Sequence, residues 1–259
     1  TQPACVLELD RMTGQQQRIL LSASPTPDSH RWQSVEFPSA DSVSIQPWLM
    51  KPAGEGPFPA LVHAHGGPDA VVTERFDPSL QAWVDQGFAV LSVNYRGSTT
   101  FGADFTQATI GQPGTLELED LVGAANWLVT EQIAHASQIF LTGASYGGYL
   151  TLQTLSHRPS IFAGGLAIVP ITDWTDNYAT TDETLQQHQQ QLFGGNPQTK
   201  AASMREASPI THAEALQAPI LVLQAKNDSR YPAQQIRSYV EKLKSLEKPV
   251  ELHWFDAET

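Results

Sequence analysis

Hydrophobic positions along this chain follow two alternating periods. Short, nearly continuous apolar runs at residues 60–65, 88–93, 139–141, 162–169, 220–224 and 250–255 read as buried strands. Between them lie segments with helical spacing. Residues 116–131 carry apolar side chains at 118, 121, 122, 125, 128 and 129, one face of a helix. Residues 79–86 form a helix stopped by Gly87, and 146–157 one stopped by Pro159. A further helix opens at Pro232 and turns Ile236, Tyr239, Val240, Leu243 and Leu246 inward. This alternation predicts an α/β fold, a mostly parallel sheet with helices on both faces. Ahead of it, residues 32–37 and 43–50 predict a hairpin turning at 38–42. Residues 4–22 stand apart as a second hairpin, 6–10 and 18–22 around Met12-Thr13-Gly14, followed by a Ser-, Pro- and Asp-containing linker over 22–29. The chain therefore divides into 1–29 and a main domain, 30–259.

Composition narrows the range of functions. A chain of 259 residues, 41% hydrophobic and 16% charged, suits one large α/β domain with a small appendage. The net charge of −12, from 15 basic and 27 acidic residues, argues against nucleic acid or an anionic membrane as partner. The single cysteine, Cys5, excludes an internal disulfide and a cysteine-based metal cluster. No residues show metal-ligand spacing, so neither a metal nor an organic cofactor is expected. There is no apolar run of membrane-spanning length and no signal-peptide pattern, which predicts a soluble, reducing, cytoplasmic setting. The chain opens at Thr1 inside an apparent strand, so its start reads as cut.

The chemistry is concentrated at Gly143-Ala144-Ser145-Tyr146-Gly147-Gly148-Tyr149. A strand, a sharp glycine-flanked turn and a helix make the setting of a nucleophile elbow, with Ser145 as nucleophile, and place the α/β sheet in the α/β-hydrolase fold class. Glycines at 143 and 147 keep side chains out of the tight crossing of strand and helix. A serine hydroxyl needs a base oriented by an acid, and donors for the oxyanion that forms. The strand ending at His65-Gly66-Gly67-Pro68 offers a backbone N–H for that oxyanion, and the N–H of Tyr146 is the second donor. His65 reads as a packing and hydrogen-bonding residue of its loop, and His63 as structural. Asp228, after a buried strand and after Ser145 in chain order, has the place of the acid. Residues 172–217 interrupt the alternation and read as an insertion over the active-site end of the sheet. Their glutamine stretch, 186–191, reads as a solvated helix.

Six motifs in order carry a family resemblance: His65-Gly66-Gly67-Pro68, Asn94-Tyr95-Arg96-Gly97-Ser98, the segment around Ser145, Phe193-Gly194-Gly195-Asn196-Pro197, Ser208-Pro209-Ile210, and Asn227-Asp228-Ser229-Arg230-Tyr231-Pro232. From about residue 32 onward the chain resembles the catalytic domain of the prolyl oligopeptidase family, nearest its acylaminoacyl-peptidase-like and dipeptidyl-peptidase-like branch. The resemblance implies that Ser145 is the nucleophile, Asp228 the triad acid, and Gly67 and Tyr146 the oxyanion donors. It also implies that 1–29 is the remnant of a preceding β-propeller blade plus linker. The family's triad histidine follows the last strand in a segment of the type Asp-Ala-Glu-Gly-His-Gly. Here Asp256-Ala257-Glu258 is followed by Thr259, and the reading is of a domain lacking the histidine loop and its helix. His253 is a weak substitute base, and His188 and His212 weaker ones. The expected activity is serine hydrolysis of ester or peptide bonds through an acyl-enzyme, on a small ester or short peptide. The rivals are a carboxylesterase on small acyl esters and a catalytically impaired fragment. With its final strand uncovered, the chain is expected to form a homo-oligomer.

Overall fold

The computed structural model describes residues 3, 5–22, 30–228 and 230–256. At the front, β1 (Cys5–Leu9) and β2 (Gln16–Ser22) pair antiparallel as a separate hairpin, with Val6, Ile19, Leu20 and Leu21 exposed. The linker expected over 22–29 lies mostly outside the described residues. Next come β3 (Gln33–Ser34), β4 (Phe37–Pro38), β5 (Ser44–Met50) and β6 (Phe58–Ala64). Strand–helix alternation then runs through α1 (Pro78–Asp85), β7 (Ala89–Asn94), α2 (Ala103–Gln107), α3 (Leu116–Thr130), β8 (Ala134–Ala144), α4 (Tyr146–His157) and β9 (Gly164–Ile168). The expected insertion is built of α5 (Trp174–Thr180), α6 (Glu183–Phe193), α7 (Pro197–Glu206) and a 3-10 helix, Pro209–Ala215. The chain ends with β10 (Ile220–Ala225), α8 (Ala233–Ser245) and β11 (Val250–Phe255).

One sheet of nine strands runs β11-β10-β9-β8-β6-β7-β5-β3, with β4 also paired to β5. From β7 to β11 every pairing is parallel; β3, β4 and β5 join antiparallel. Strand side chains alternate between faces. Val62, Leu91, Leu141 and Val222 pack with Leu121 and Leu128 of α3, Leu152 of α4 and Ile236 and Leu243 of α8. Leu61 and Val90 face the other way, onto Leu80 and Val84 of α1. Each such buried aliphatic side chain contributes about 1.5–3 kcal/mol, which makes the two-sided cover the main source of stability. Because the central strands are parallel, their C-terminal ends share one edge of the sheet. The loops carrying His65, Arg96, Ser145 and Asp228 all emerge there.

Three local expectations change. The strand expected at 32–37 is split into β3 and β4, because Pro47 of β5 has no N–H to donate where the two meet. Helix α2 was not foreseen; it buries no residue, so it leaves no apolar stripe in the sequence. The glutamine stretch is helical but not solvated all round. Gln189 is buried and donates to Asn177 Oδ1 at 2.7 Å, while Leu192 and Phe193 enter the core. Among the described residues, no helix is long and apolar enough to cross a membrane.

Candidate active site

Strand β8 runs straight into α4 with one residue between them, and that residue is Ser145. Its backbone is held at φ 58°, ψ −120°, a region a non-glycine residue occupies only at a cost of about 1–3 kcal/mol. The surroundings enforce it. The Ser145 N–H donates to Ile168 O of β9 at 2.9 Å, and its carbonyl accepts from Tyr149 N–H at 3.0 Å. The neighbours must be glycine. A Cβ on Gly143 would lie 2.5 Å from Ala64 O, and one on Gly147 only 2.0 Å from the same oxygen. Strand β6 thus crosses directly under the elbow.

The chain leaving β6 lies beside this turn. A Cβ on Gly66 would come within 3.6 Å of Ser145 Cβ, and Gly67 has φ +137°. Neither Gly67 N–H nor Tyr146 N–H has a protein acceptor among the described residues. Two main-chain donors therefore remain unspent next to the serine. The loop is held by His65, buried and stacked on Tyr95 at 4.3 Å. Its Nδ1 lies 2.7 Å from Gly66 O and its Nε2 2.8 Å from Ser98 Oγ, and Tyr95 donates to its carbonyl at 2.7 Å. Burial lowers its pKa to about 4, so His65 is neutral at neutral pH with both ring nitrogens engaged. His63, hydrogen-bonded to Ser92 Oγ at 2.7 Å, is likewise lowered to about 4 by burial.

Behind β7, Arg96 anchors the same loop system. Its guanidinium donates to both oxygens of Asp120, at 2.6–3.1 Å, and to Ser39 Oγ; it also pairs with Asp41. Asp120 is fully buried and also accepts from Arg96 N–H at 2.8 Å.

The aspartate after β10 is tied down by main-chain donors. Asp228 Oδ1 accepts from Arg230 N–H and Tyr231 N–H, both at 2.9 Å, and Oδ2 lies 3.4 Å from Gln224 Nε2. This turn delivers Tyr231, whose hydroxyl shares a 2.8 Å hydrogen bond with Ser145 Oγ. Sequence reasoning missed Tyr231. It stood inside the quoted motif, but nothing in the motif shows which way its ring turns. His253 is exposed on β11 and hydrogen-bonded to Glu251 at 2.6 Å. None of the eight histidines hydrogen-bonds Ser145 among the described residues.

A second residue went unread. Glu117, in the first turn of α3, is completely buried and accepts from Tyr146 Oη at 2.7 Å and from Gly114 and Thr115 N–H. It thus fixes the side chain of the residue whose N–H faces the site. Burial raises its pKa from 4.5 to about 7, outweighing those hydrogen bonds. A carboxyl raised on folding contributes stability in full below pH 4.5 and loses it as pH climbs through about 7. Glu117→Gln, which mimics the protonated acid, should therefore flatten the decline between pH 5 and 8. Urea unfolding of both proteins across that window checks it; parallel profiles would refute the burial argument.

The family model described as Prolyl oligopeptidase family matches residues 74–259. Dipeptidyl aminopeptidase BIII of Pseudoxanthomonas mexicana is 32% identical over 229 residues, covering 83% of this chain and 33% of that protein. The Pyrococcus horikoshii acylaminoacyl peptidase superposes with a TM-score of 0.82 at 28% identity, over 89% of this chain and 38% of that one. A Mycobacterium tuberculosis puromycin-hydrolyzing peptidase gives a TM-score of 0.91 at 27% identity, over 98% and 40%. The chain spans about a third of the length of the curated relatives it matches. With the family model matching most of its length, this chain belongs to the prolyl oligopeptidase family.

Proposed function

We propose that this chain is the catalytic region of a serine peptidase that cleaves ester or amide bonds in short, acylated or N-terminally recognised peptides through an acyl-enzyme. The observation that carries the reading is Ser145 itself. It is a strained residue at the start of a helix, its hydroxyl 2.8 Å from Tyr231 Oη, beside two backbone N–H groups that have no protein acceptor among the described residues. In this reading Ser145 Oγ attacks the carbonyl carbon, and the oxyanion is held by Gly67 N–H and Tyr146 N–H. Such donors are worth about 3 kcal/mol each when lost. Asp228 is the acid that orients the base. The resemblance implies a histidine as the base, in a segment of the type Asp-Ala-Glu-Gly-His-Gly, and no histidine within residues 1–259 is given that role. Tyr231 holds the resting hydroxyl. The substrate class is supported by the relatives, whose names record dipeptidyl aminopeptidase, acylaminoacyl peptidase and puromycin-hydrolyzing peptidase. The exposed apolar side chains of the 5–22 hairpin support its assignment to a propeller blade.

Leaving-group chemistry gives the test. An aryl oxide departs without protonation, whereas an amine must receive a proton, and positioned acid–base catalysis is worth about 10²–10⁴-fold. A short acyl aryl ester should produce a burst of one aryl oxide per chain and a mass gain of one acyl group at Ser145. Turnover should exceed that of the matched anilide by at least about 10²-fold. An adduct on any other residue, or neither burst nor turnover, would overturn the proposal.

A further inference from the structure

At the opposite end of the nucleophile helix, three side chains from three elements converge. His157 is the last residue of α4, Glu206 the last of α7, and His212 lies in the 3-10 helix. One donor atom from each falls within 4.8 Å of the others. We propose that His157, Glu206 and His212 bind a divalent transition-metal ion of the zinc class, clamping the end of α4 to the 172–217 segment.

The hydrogen bonds prepare both imidazoles for this. His157 Nδ1 is 3.0 Å from Gln153 O, and His212 Nε2 is 2.7 Å from Glu206 main-chain O. A carbonyl only accepts, so these are the protonated nitrogens. Among the described residues, that leaves the lone pairs of His157 Nε2 and His212 Nδ1 without a protein donor; the Glu206 carboxylate lies 3.7 Å from the other ring nitrogen of His212. An N–H held by a backbone carbonyl with the other nitrogen free is the usual arrangement of a metal-ligating histidine. The rings stand 4.2 Å apart at 58°, close enough to share an ion without stacking flat. Gln153 ties the two carbonyl contacts together. It is 2% exposed, its Nε2 donates to Glu206 O at 3.2 Å, and its Oε1 is buried with no partner. His157, Gln153 and Glu206 line one cleft of about 420 Å³, which leaves room for water on the ion.

Charge and donor type choose the cation. Two neutral nitrogens and one carboxylate suit zinc and its neighbours better than magnesium or calcium, which take oxygen sets. Arg158, next to His157 in the chain, has its guanidinium directed to Glu119 and to the His157 carbonyl. Sequence spacing does not reveal this set because its members come from separate elements.

Zinc titrated into the metal-free protein should bind one equivalent at micromolar concentration by calorimetry. Co²⁺ in its place should give the intense visible absorption of a four-coordinate nitrogen–oxygen site. His157→Gln and His212→Gln should each weaken zinc binding at least tenfold and abolish the cobalt spectrum. Their thermal unfolding in chelator should match that of the parent in chelator, showing that the fold survives. Zinc should raise the parent's Tm by several degrees and leave the variants' unchanged. No binding at 100-fold excess zinc over protein, or binding undiminished in both variants, would overturn the site. No readout uses catalysis, so the result is independent of the function proposed for Ser145.

Discussion

Ser145→Ala should remove all covalent labelling of this chain by a fluorophosphonate probe, and with it any ester turnover. The chain contains many serines; among the described ones, Ser145 combines a positive φ with a position beside two unspent N–H donors. Where a complete triad has been dissected, loss of the nucleophile costs about 10⁶-fold, and what survives comes from the oxyanion donors and binding. Tyr231→Phe is the informative companion. It deletes one hydrogen bond to Ser145 Oγ, worth about 1 kcal/mol, so labelling should persist at Ser145 with a rate altered less than about tenfold. Peptide mapping of the labelled protein decides between these outcomes. A label on a different serine, or one retained in Ser145→Ala, would end the assignment.

Asp120→Ala should be the most destabilising of the single substitutions considered. Asp120 is fully buried, and the Arg96 side chain against it is 4% exposed. Removing the carboxylate leaves a buried guanidinium with only Ser39, Asp41 and a weak contact to Leu116 O. Breaking such a pair from one side costs about 3–5 kcal/mol, a fall in Tm of roughly 6–20 °C for a domain of this size. The loss should extend beyond stability. Tyr95 and Ser98 flank Arg96 and together hold His65, so the Gly66-Gly67 loop loses its backing. Differential scanning calorimetry tests the first part; a drop under 2 °C would show that Asp41 and Ser39 suffice.

Much of this was legible in the sequence because the relevant signals are local. The central strands are continuous apolar runs, α3 and α8 show one-sided periodicity, and the elbow needs glycines that sequence displays directly. Ser145, Gly67, Tyr146 and Asp228 were each placed by a strand end or a neighbouring glycine. What escaped depends on side-chain direction or on contacts distant in sequence. Nothing along the chain distinguishes Glu117 from Glu119 in the same helical turn. Yet the first is buried against Tyr146, and the second is partly exposed and pairs with Arg158. Tyr231 reaches Ser145 only because Asp228 captures the backbone that carries it. The split of β3 from β4 turns on Pro47, a residue of the opposite strand.

Helix α4 has no outward side: from Tyr146 to Ser156 every residue is buried. Most surface helices keep one face where sequence can drift at little cost. This one has none, and Gly147 and Gly148 at its start admit not even a methyl group. The segment that follows Ser145 is therefore nearly closed to evolutionary change. Diversification of what the site accepts must fall on the surrounding pieces, the loop after β6 and the 172–217 segment. Laboratory libraries aimed at new substrates belong there, with the helix left untouched.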